Sequence, residues 1–317
     1  MATYKEIKGT GVQNFSSDPA NPINGQVWYN TTSSTLKVAE VSTTGAWATG
    51  GNLSPGKQKL AAAGTQTAGL AFAGQPSNTN SQEYDGSAWT AGGSLGTARY
   101  YLAGAGTQTA GLAIGGAFPI TTATEEYDGS AWTAGGSMAT PRYQLAGAGT
   151  QTAALAIGGR NPPIIIATEE YDGLAWTAGG NMASGRDLHA ACGTQTAGLT
   201  FGGGPNPVAI TTEEYDGLAW TAGGNLPQGI TRHGGCGTQT AALSFAGFPV
   251  ASFNGINLTN QYDGTAWTAG GNLNTARAYL AGAGTQAAGL AIAGSPSPTS
   301  TEEYTGPGTT ITTVTTS

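Results

Sequence analysis

Glu125 to Gly159, EEYDGSAWTAGGSMATPRYQLAGAGTQTAALAIGG, is the stretch on which the reading of this 317-residue chain turns, because close copies of it recur along most of the length. Tryptophans stand at 47, 89, 132, 176, 220 and 267, and GTQ triplets begin at 64, 106, 149, 193, 237 and 284. Both series are spaced by 42, 43, 44, 44 and 47 residues, so two unrelated markers keep one register. A period in the low-to-mid forties is the length of one four-stranded unit of a radial β repeat, and is longer than leucine-rich repeats or most helical hairpins.

Turn residues divide each unit into four strands. In the unit beginning at Arg99 these are Arg99 to Gly106, Ala110 to Gly115, Ala123 to Asp128 and Ala131 to Gly135. Asp128-Gly129 supplies a tight turn between the third and fourth, since Gly tolerates positive φ and Asp can bond its own backbone. The Gly-Thr-Gln-Thr segment turns the first strand into the second. Ala and Gly in the first strand suit the crowded centre of a β-propeller, and Tyr127 and Trp132 on the outer strands fill its wider gaps. The expected fold is therefore all-β, a six-bladed propeller over 45–308. Leu60, Leu102, Leu145, His189, His233 and Leu280 share one position on six first strands. Trp47 opens the array with a fourth strand that lacks predecessors, while EEYTGPG at 302–308 ends it without a Trp. The segment around Trp47 would thus complete the last blade, and TTITTVTT at 309–316 competes for the same place.

Composition agrees with a β architecture: 53 Gly, many Thr, Ser and Ala, and 9% charged residues. The net charge of -7 and only 11 scattered Lys and Arg argue against nucleic acid as a partner, because phosphate contact needs clustered cations. Fourteen of the 18 acidic residues belong to the repeated E/Q-Y-D/T motif, so the acidity follows from copying. No apolar run approaches the ~20 residues of a membrane span, and MATYKEIKGTGVQNF lacks a hydrophobic signal core. A soluble, non-exported chain without membrane insertion is expected, and two Cys are too few for a disulfide framework.

Residues 1–44 stand outside the repeat. Gln26 to Asn30 and Thr35 to Val41 flank a polar turn and read as a short N-terminal β-hairpin extension, an appendage or anchor. Residues 309–317 form a Thr-rich tail when they do not close the array.

A Gly-Gly pair ending the second strand, Tyr on the third, Trp five residues later and then a segment such as Ala139 to Arg142 together resemble kelch repeats over residues 45–306. The resemblance implies a kelch-like propeller. It weakens where Ala73-Gly74, Ala246-Gly247 and Ala293-Gly294 replace Gly-Gly, and where Ile230 replaces Arg. DPANPINGQVWYNTTSSTLKV, followed by GAW, GGN and AGAGTQTAGLA units, is similar to structural proteins of tailed bacteriophages, particularly of marine cyanobacteria. That similarity implies a virion component, made in the host cytoplasm, as a tail fibre with host recognition or a capsid decoration. Its partners would be other capsid or tail proteins and a host cell-surface glycan or protein, with a homo-oligomer in the virion an open alternative. Trp28 and Tyr29 would serve attachment.

Each candidate for chemistry has a competing structural role. Repeated carboxylates such as Glu125, Glu126 and Asp128 express the symmetry that a catalytic site would break, so they are read as structural, with Glu facing solvent or an Arg of a neighbouring blade. His189, Cys192, His233 and Cys236 carry zinc-ligand chemistry in two adjacent units. Residues three apart on a strand point to opposite faces, however, so duplication of one unit explains them as well. The copper site of the kelch-like galactose oxidases is not supplied by two His. No cofactor, metal or catalytic residue is assigned, and the expectation is a protein that is not an enzyme. Tyr84, Trp89, Tyr127, Trp132, Tyr171, Trp176, Tyr215, Trp220, Tyr262 and Trp267 are read as packing residues whose truncation costs roughly 3–5 kcal/mol each when buried.

Variation is concentrated in the connections between second and third strands, at 75–82, 117–124, 160–168, 204–212, 248–260 and 295–301. Because strands alternate, these lie on one face with the links between units, and that face is the candidate for recognition. It carries Phe118, Ile164, Ile165, Ile166, Phe248, Phe253 and Ile256, an apolar load that fits a protein contact as well as a glycan. A free glycan-binding, lectin-like propeller is the alternative function.

Overall fold

In the computed structural model, which describes residues 12–42, 44–76, 79–205, 208–250, 252 and 254–314, the repeated turns set the strands. Ala103–Gly106, Gly111–Ile114, Thr124–Tyr127 and Trp132–Ala134 form one antiparallel sheet in that order. The Asp128-Gly129 turn works as its chemistry requires: the carboxylate accepts the Ser130 and Ala131 backbone N–H groups at 2.8 Å each, and Gly129 adopts φ +91°. Sheets of the same order start at Ala61–Gly64, Ala146–Thr150, Ala190–Thr194 and Gly234–Thr238. Another combines Ala281–Gly284, Ala288–Ile292 and Thr301–Thr305 with Ala46–Thr49, in the register Tyr304 opposite Trp47. The fold is all-β, with four-stranded antiparallel sheets compatible with a propeller. Among the described residues the helical segment is the single 3-10 turn Val208–Ile210, and no helix is long and apolar enough to cross a membrane.

By internal contacts the chain divides into two units, Ala46–Thr305 and the combination of Met1–Gly45 with Gly306–Ser317. The smaller unit is more than a hairpin. Val27–Asn30 and Thr35–Ser42 pair antiparallel, Gln13–Phe15 adds in parallel on one side, and Gly308–Thr313 adds antiparallel on the other. The Thr-rich segment therefore belongs to this sheet, and the partner of Thr301–Thr305 is Ala46–Thr49.

In the larger unit, apolar clusters form between consecutive sheets. Leu70 and Phe72 of one sheet pack with Tyr127 and Trp132 of the next, and Leu112 and Ile114 with Tyr171 and Trp176. First strands approach so closely that Gly is required: a Cβ on Gly104 would lie 2.5 Å from the Ala62 carbonyl oxygen, and one on Gly282 would lie 2.5 Å from that of Gly235.

Polar side chains fasten each sheet to its predecessor. Gln108 donates to the carbonyls of Gly69 and Tyr84 at 3.1 and 2.7 Å, the Trp132 indole donates to Ser81 at 2.8 Å, and the Tyr127 hydroxyl donates to Glu83. Gln151, Gln195, Gln239 and Gln286 repeat the double bond. Gln66 makes it to Gly289 and Tyr304 at 3.1 and 2.7 Å. The repeated Tyr and Trp are thus both packing residues and hydrogen-bond donors. The Gln of GTQ, read from sequence as part of a turn, is a tie.

The first Glu of each EEY motif departs from its expected place. Glu125, Glu169, Glu213 and Glu302 are buried, paired with the fully buried Arg99, Arg142, Arg186 and Arg277. Each Arg lies in the segment leading into the same sheet, so the carboxylate faces neither solvent nor a neighbouring unit. The reason is mutual: a buried charge is tolerated only with a partner. Where Arg becomes Lys57 the Glu becomes Gln82, and where it becomes Ile230 the Glu becomes Asn260. Lys57 instead donates to the carbonyls of Ala73, at 3.1 Å, and Asn80.

Candidate functional site

One residue ahead of the shared Leu/His position stand Lys59, Tyr101, Gln144, Leu188, Arg232 and Tyr279, all left-handed with φ between +53° and +60°. Their backbones join in series. Tyr101 N–H donates to Lys59 C=O at 3.0 Å, Gln144 to Tyr101 at 2.8 Å, and Leu188 to Gln144 at 2.9 Å. Arg232 to Leu188, Tyr279 to Arg232 and Lys59 to Tyr279 follow, each at 2.9 Å. Six non-glycine residues in this sparsely populated conformation are held by a shared hydrogen-bond circuit, and such over-determined strain is concentrated at functional sites. Bridges from the preceding residues, Gln58 to Gln75, Tyr100 to Ala117, Tyr143 to Arg160, Asp187 to Gly204 and Ala278 to Ser295, bring the start of the variable connections beside the circuit.

The side chains here differ from unit to unit, and they enclose a cavity of about 90 Å³ whose deeper lining includes His189 and His233. Lys59 Nζ lies 5.5, 5.1 and 5.5 Å from the ring centroids of Tyr100, Tyr101 and Tyr279, and donates to Gln75 at 3.0 Å. The Arg232 guanidinium lies 5.3 Å from the Tyr279 ring and 5.7 Å from that of Phe248. Tyr100 stacks on Phe118 at 4.8 Å and 17°, and Phe118 is 69% exposed. Burial raises the Tyr101 hydroxyl, with Tyr279 adding to the effect, so Tyr101 stays neutral.

Charge at this mouth contrasts with the acidic chain. Five of the cations in the larger unit, Lys57 and the four paired arginines, are buried in the scaffold. The other three, Lys59, Arg160 and Arg232, gather here. The buried Asp187 offsets one of them, with Arg160 at 3.6 Å; burial raises its carboxyl, and Arg160 and Arg232 oppose that rise.

Below the mouth, His189 and His233 are buried where other units have Leu, each imidazole reaching at most one backbone carbonyl, that of Ile157 or Phe201, with its other nitrogen unpartnered. Burial holds both imidazoles neutral: that of His233 is pushed down to about 3, and that of His189 well below its usual range, with Arg186 reinforcing the effect. Gln144 Oε1 and Arg232 Nε are likewise buried and unpartnered. Cys192 and Cys236 lie deeper, lining a separate cavity of about 160 Å³ with Ala63 and Gly64. Their thiols sit 3.6 Å from the carbonyls of Thr238 and Thr285, and burial raises both, Cys236 to about 12. His189, Cys192, His233 and Cys236 are therefore not brought to one point, and among the described residues no group of His, Cys, Asp or Glu could hold a metal ion.

The apolar residues of the variable connections are spread around this end. Ile166 is 43% exposed, while Ile164, Ile165, Phe248 and Ile256 are half-buried, with Phe248 edge-on to Tyr279 at 5.6 Å. Phe253 lies outside the described residues. In the smaller unit, Trp28 is fully buried and donates to Asp18 at 3.0 Å, so of the two residues assigned to attachment it is Tyr29, 37% exposed, that presents surface. Sequence reading overlooked the mouth residues because it sought variation in loops. The signal was nonetheless present: Lys, Tyr, Gln, Leu, Arg and Tyr occupy one register position immediately before the Leu or His that leads into each first strand.

Compared with protein-family models and with curated proteins, the sequence matches none.

Proposed function

We propose that this chain is a non-enzymatic, six-bladed, kelch-like propeller that serves as a structural protein of a tailed-phage virion and presents its variable face for recognition. The observation that carries the binding role is the division of labour within the repeat. Residues that pair, tie and pack the sheets recur nearly unchanged, whereas the position at the mouth takes five residue types in six units. A scaffold repeated for its own sake would not vary at one end only. Six blades are supported by the Gln ties and the backbone circuit, both of which run from unit to unit and from Lys59 and Gln66 back to the last. The virion assignment rests on the similarity of the N-terminal segment to phage structural proteins. Other capsid or tail proteins would be its permanent partners, and a host-surface glycan or protein its target.

Mass spectrometry of purified particles of the encoding phage tests the assignment: the polypeptide is expected among the virion proteins, and its absence overturns the reading. Electron cryomicroscopy of the particle would show blade number and location together. Labelled protein adhering to host cells favours a tail-fibre role over head decoration. A second reading, a free lectin, is favoured by the aromatic and polar mouth, and would be supported by glycan binding in a chain missing from particles.

A further inference from the structure

The mouth has a chemistry specific enough to name a ligand class. We propose that it binds the hexuronate of an acidic saccharide, the carboxylate entering between Lys59 and Arg232 and the sugar ring resting on the aromatic rim. This rests on the reading of the variable face as the binding face and specifies what it takes.

Three independent features converge. The first is charge: in a chain of net charge -7, the scaffold's unburied cations collect at this one place, against a single carboxylate, Asp187. A guanidinium offers a planar fork matched to a carboxylate, and Lys59 adds a mobile ammonium that uses one of its three donors on Gln75. The second is shape. A cavity of about 90 Å³ holds a carboxylate head with a water or two, but is too small for a whole pyranose, so the ring must remain at the rim. There, Tyr100 and Phe118 present a stacked aromatic pair whose faces, electron-rich and apolar, suit the C–H face of a sugar. The third is unsatisfied polarity. Gln144 Oε1 and Arg232 Nε have no partners in the protein, and each buried imidazole reaches at most one backbone carbonyl, Ile157 for His189 and Phe201 for His233; buried polar groups with unmet bonds call for an explanation at a native site. Gln144 Oε1 and the open imidazole nitrogens can accept from the water that enters with the carboxylate, while Arg232 Nε donates to the carboxylate or to that water. A carboxylate head entering with its water answers them, and the hydroxylated ring stays on the aromatic rim.

The test is saturation-transfer NMR and calorimetric titration of the full chain with D-glucuronate, D-glucose, acetate and N-acetylglutamate. Glucuronate is expected to bind with a Kd on the order of 1 mM, at least about tenfold more tightly than the other three. Binding should weaken as salt is raised, because the ion pairs are partly screened. Lys59→Gln with Arg232→Gln should reduce affinity for glucuronate by about tenfold or more; both side chains are half-buried and outside the sheet-to-sheet ties, and the salt titration on unaltered protein reads the same interaction without any substitution. Undetectable glucuronate binding overturns the proposal. So does equal binding of glucose, which would make the site neutral, equal binding of acetate or N-acetylglutamate, which would make it a general carboxylate site, or affinity unchanged in the double variant. If the protein is found in virions and adheres to host cells yet ignores glucuronate, the ligand class falls and the reading of the face stands. If glucuronate binds but the chain is missing from virions, the virion assignment falls instead.

Discussion

Replacing Arg142 and Glu169 singly and together gives the most direct reading of how the repeat tolerates buried charge. Arg142 is fully buried and Glu169 nearly so, and the pair is supplemented by bonds from Arg142 to the carbonyls of Gly158, at 3.2 Å, and Ala167, at 2.8 Å. Glu169→Asn strands a guanidinium and Arg142→Ile strands a carboxylate, so each should cost about 3–5 kcal/mol. The double variant recreates the combination that the chain itself carries at Ile230 and Asn260. It leaves no charge behind; its residual cost is two carbonyls that lose a donor, together roughly 1–3 kcal/mol. The double is therefore expected to be more stable than either single, with a coupling of several kcal/mol. Urea denaturation followed by circular dichroism and tryptophan fluorescence measures all corners of the cycle. Singles costing below about 1 kcal/mol, or a double equal to the sum of the singles, would refute the claim that charge compensation governs the Arg/Glu, Lys/Gln and Ile/Asn pattern.

Other outcomes follow from the same geometry. Gln66→Ala should cost about as much as Gln151→Ala, roughly 1–3 kcal/mol for two lost bonds to carbonyls, in chemical denaturation; a far smaller effect at Gln66 would count against its bonds to Gly289 and Tyr304 being a joint like the rest. His233→Leu, restoring the residue that most units carry, should stabilise the fold by about 1–3 kcal/mol at neutral pH by removing a buried polar group whose bonds are incomplete. The same variant should flatten the acid limb: His233, ordinarily near 6.5 and lowered to about 3, contributes stability that is present above pH 6.5 and lost as pH falls toward 3, so an unchanged pH profile contradicts its burial as a neutral base. Tyr84, Tyr171, Tyr215 and Tyr262 are raised from 10.0 to about 12, first by burial and then by their carboxylate acceptors. Stability that depends on their protonated form is complete below pH 10 and declines between pH 10 and 12, which ultraviolet titration of tyrosinate alongside denaturant melts would detect; tyrosines ionising at their ordinary value would exclude it.

Much of the local structure was legible in the residues themselves. Asp-Gly turns, the Ala/Gly character of first strands and the register of Trp and GTQ are short-range signals, and strands such as Thr124–Tyr127 and Trp132–Ala134 fall where they point. Periodicity also marked which residues matter to the scaffold, because whatever recurs in every unit serves what every unit shares. What it left open were partners. Gln108 reaches back 39 residues to Gly69, Trp132 reaches back 51 to Ser81, and Ala46–Thr49 pairs with Thr301–Thr305 across almost the whole chain. Nothing local to Glu125 says that its neighbour is Arg99 and not water. The cavity at the mouth shows the same divide: the sequence alone showed that one end of each unit varies, but Lys59, Tyr101, Gln144, Arg232 and Tyr279 are far apart in the chain. Only the tertiary structure, through a circuit of backbone bonds among left-handed residues and the crowding of first strands, turned six scattered positions into one cavity.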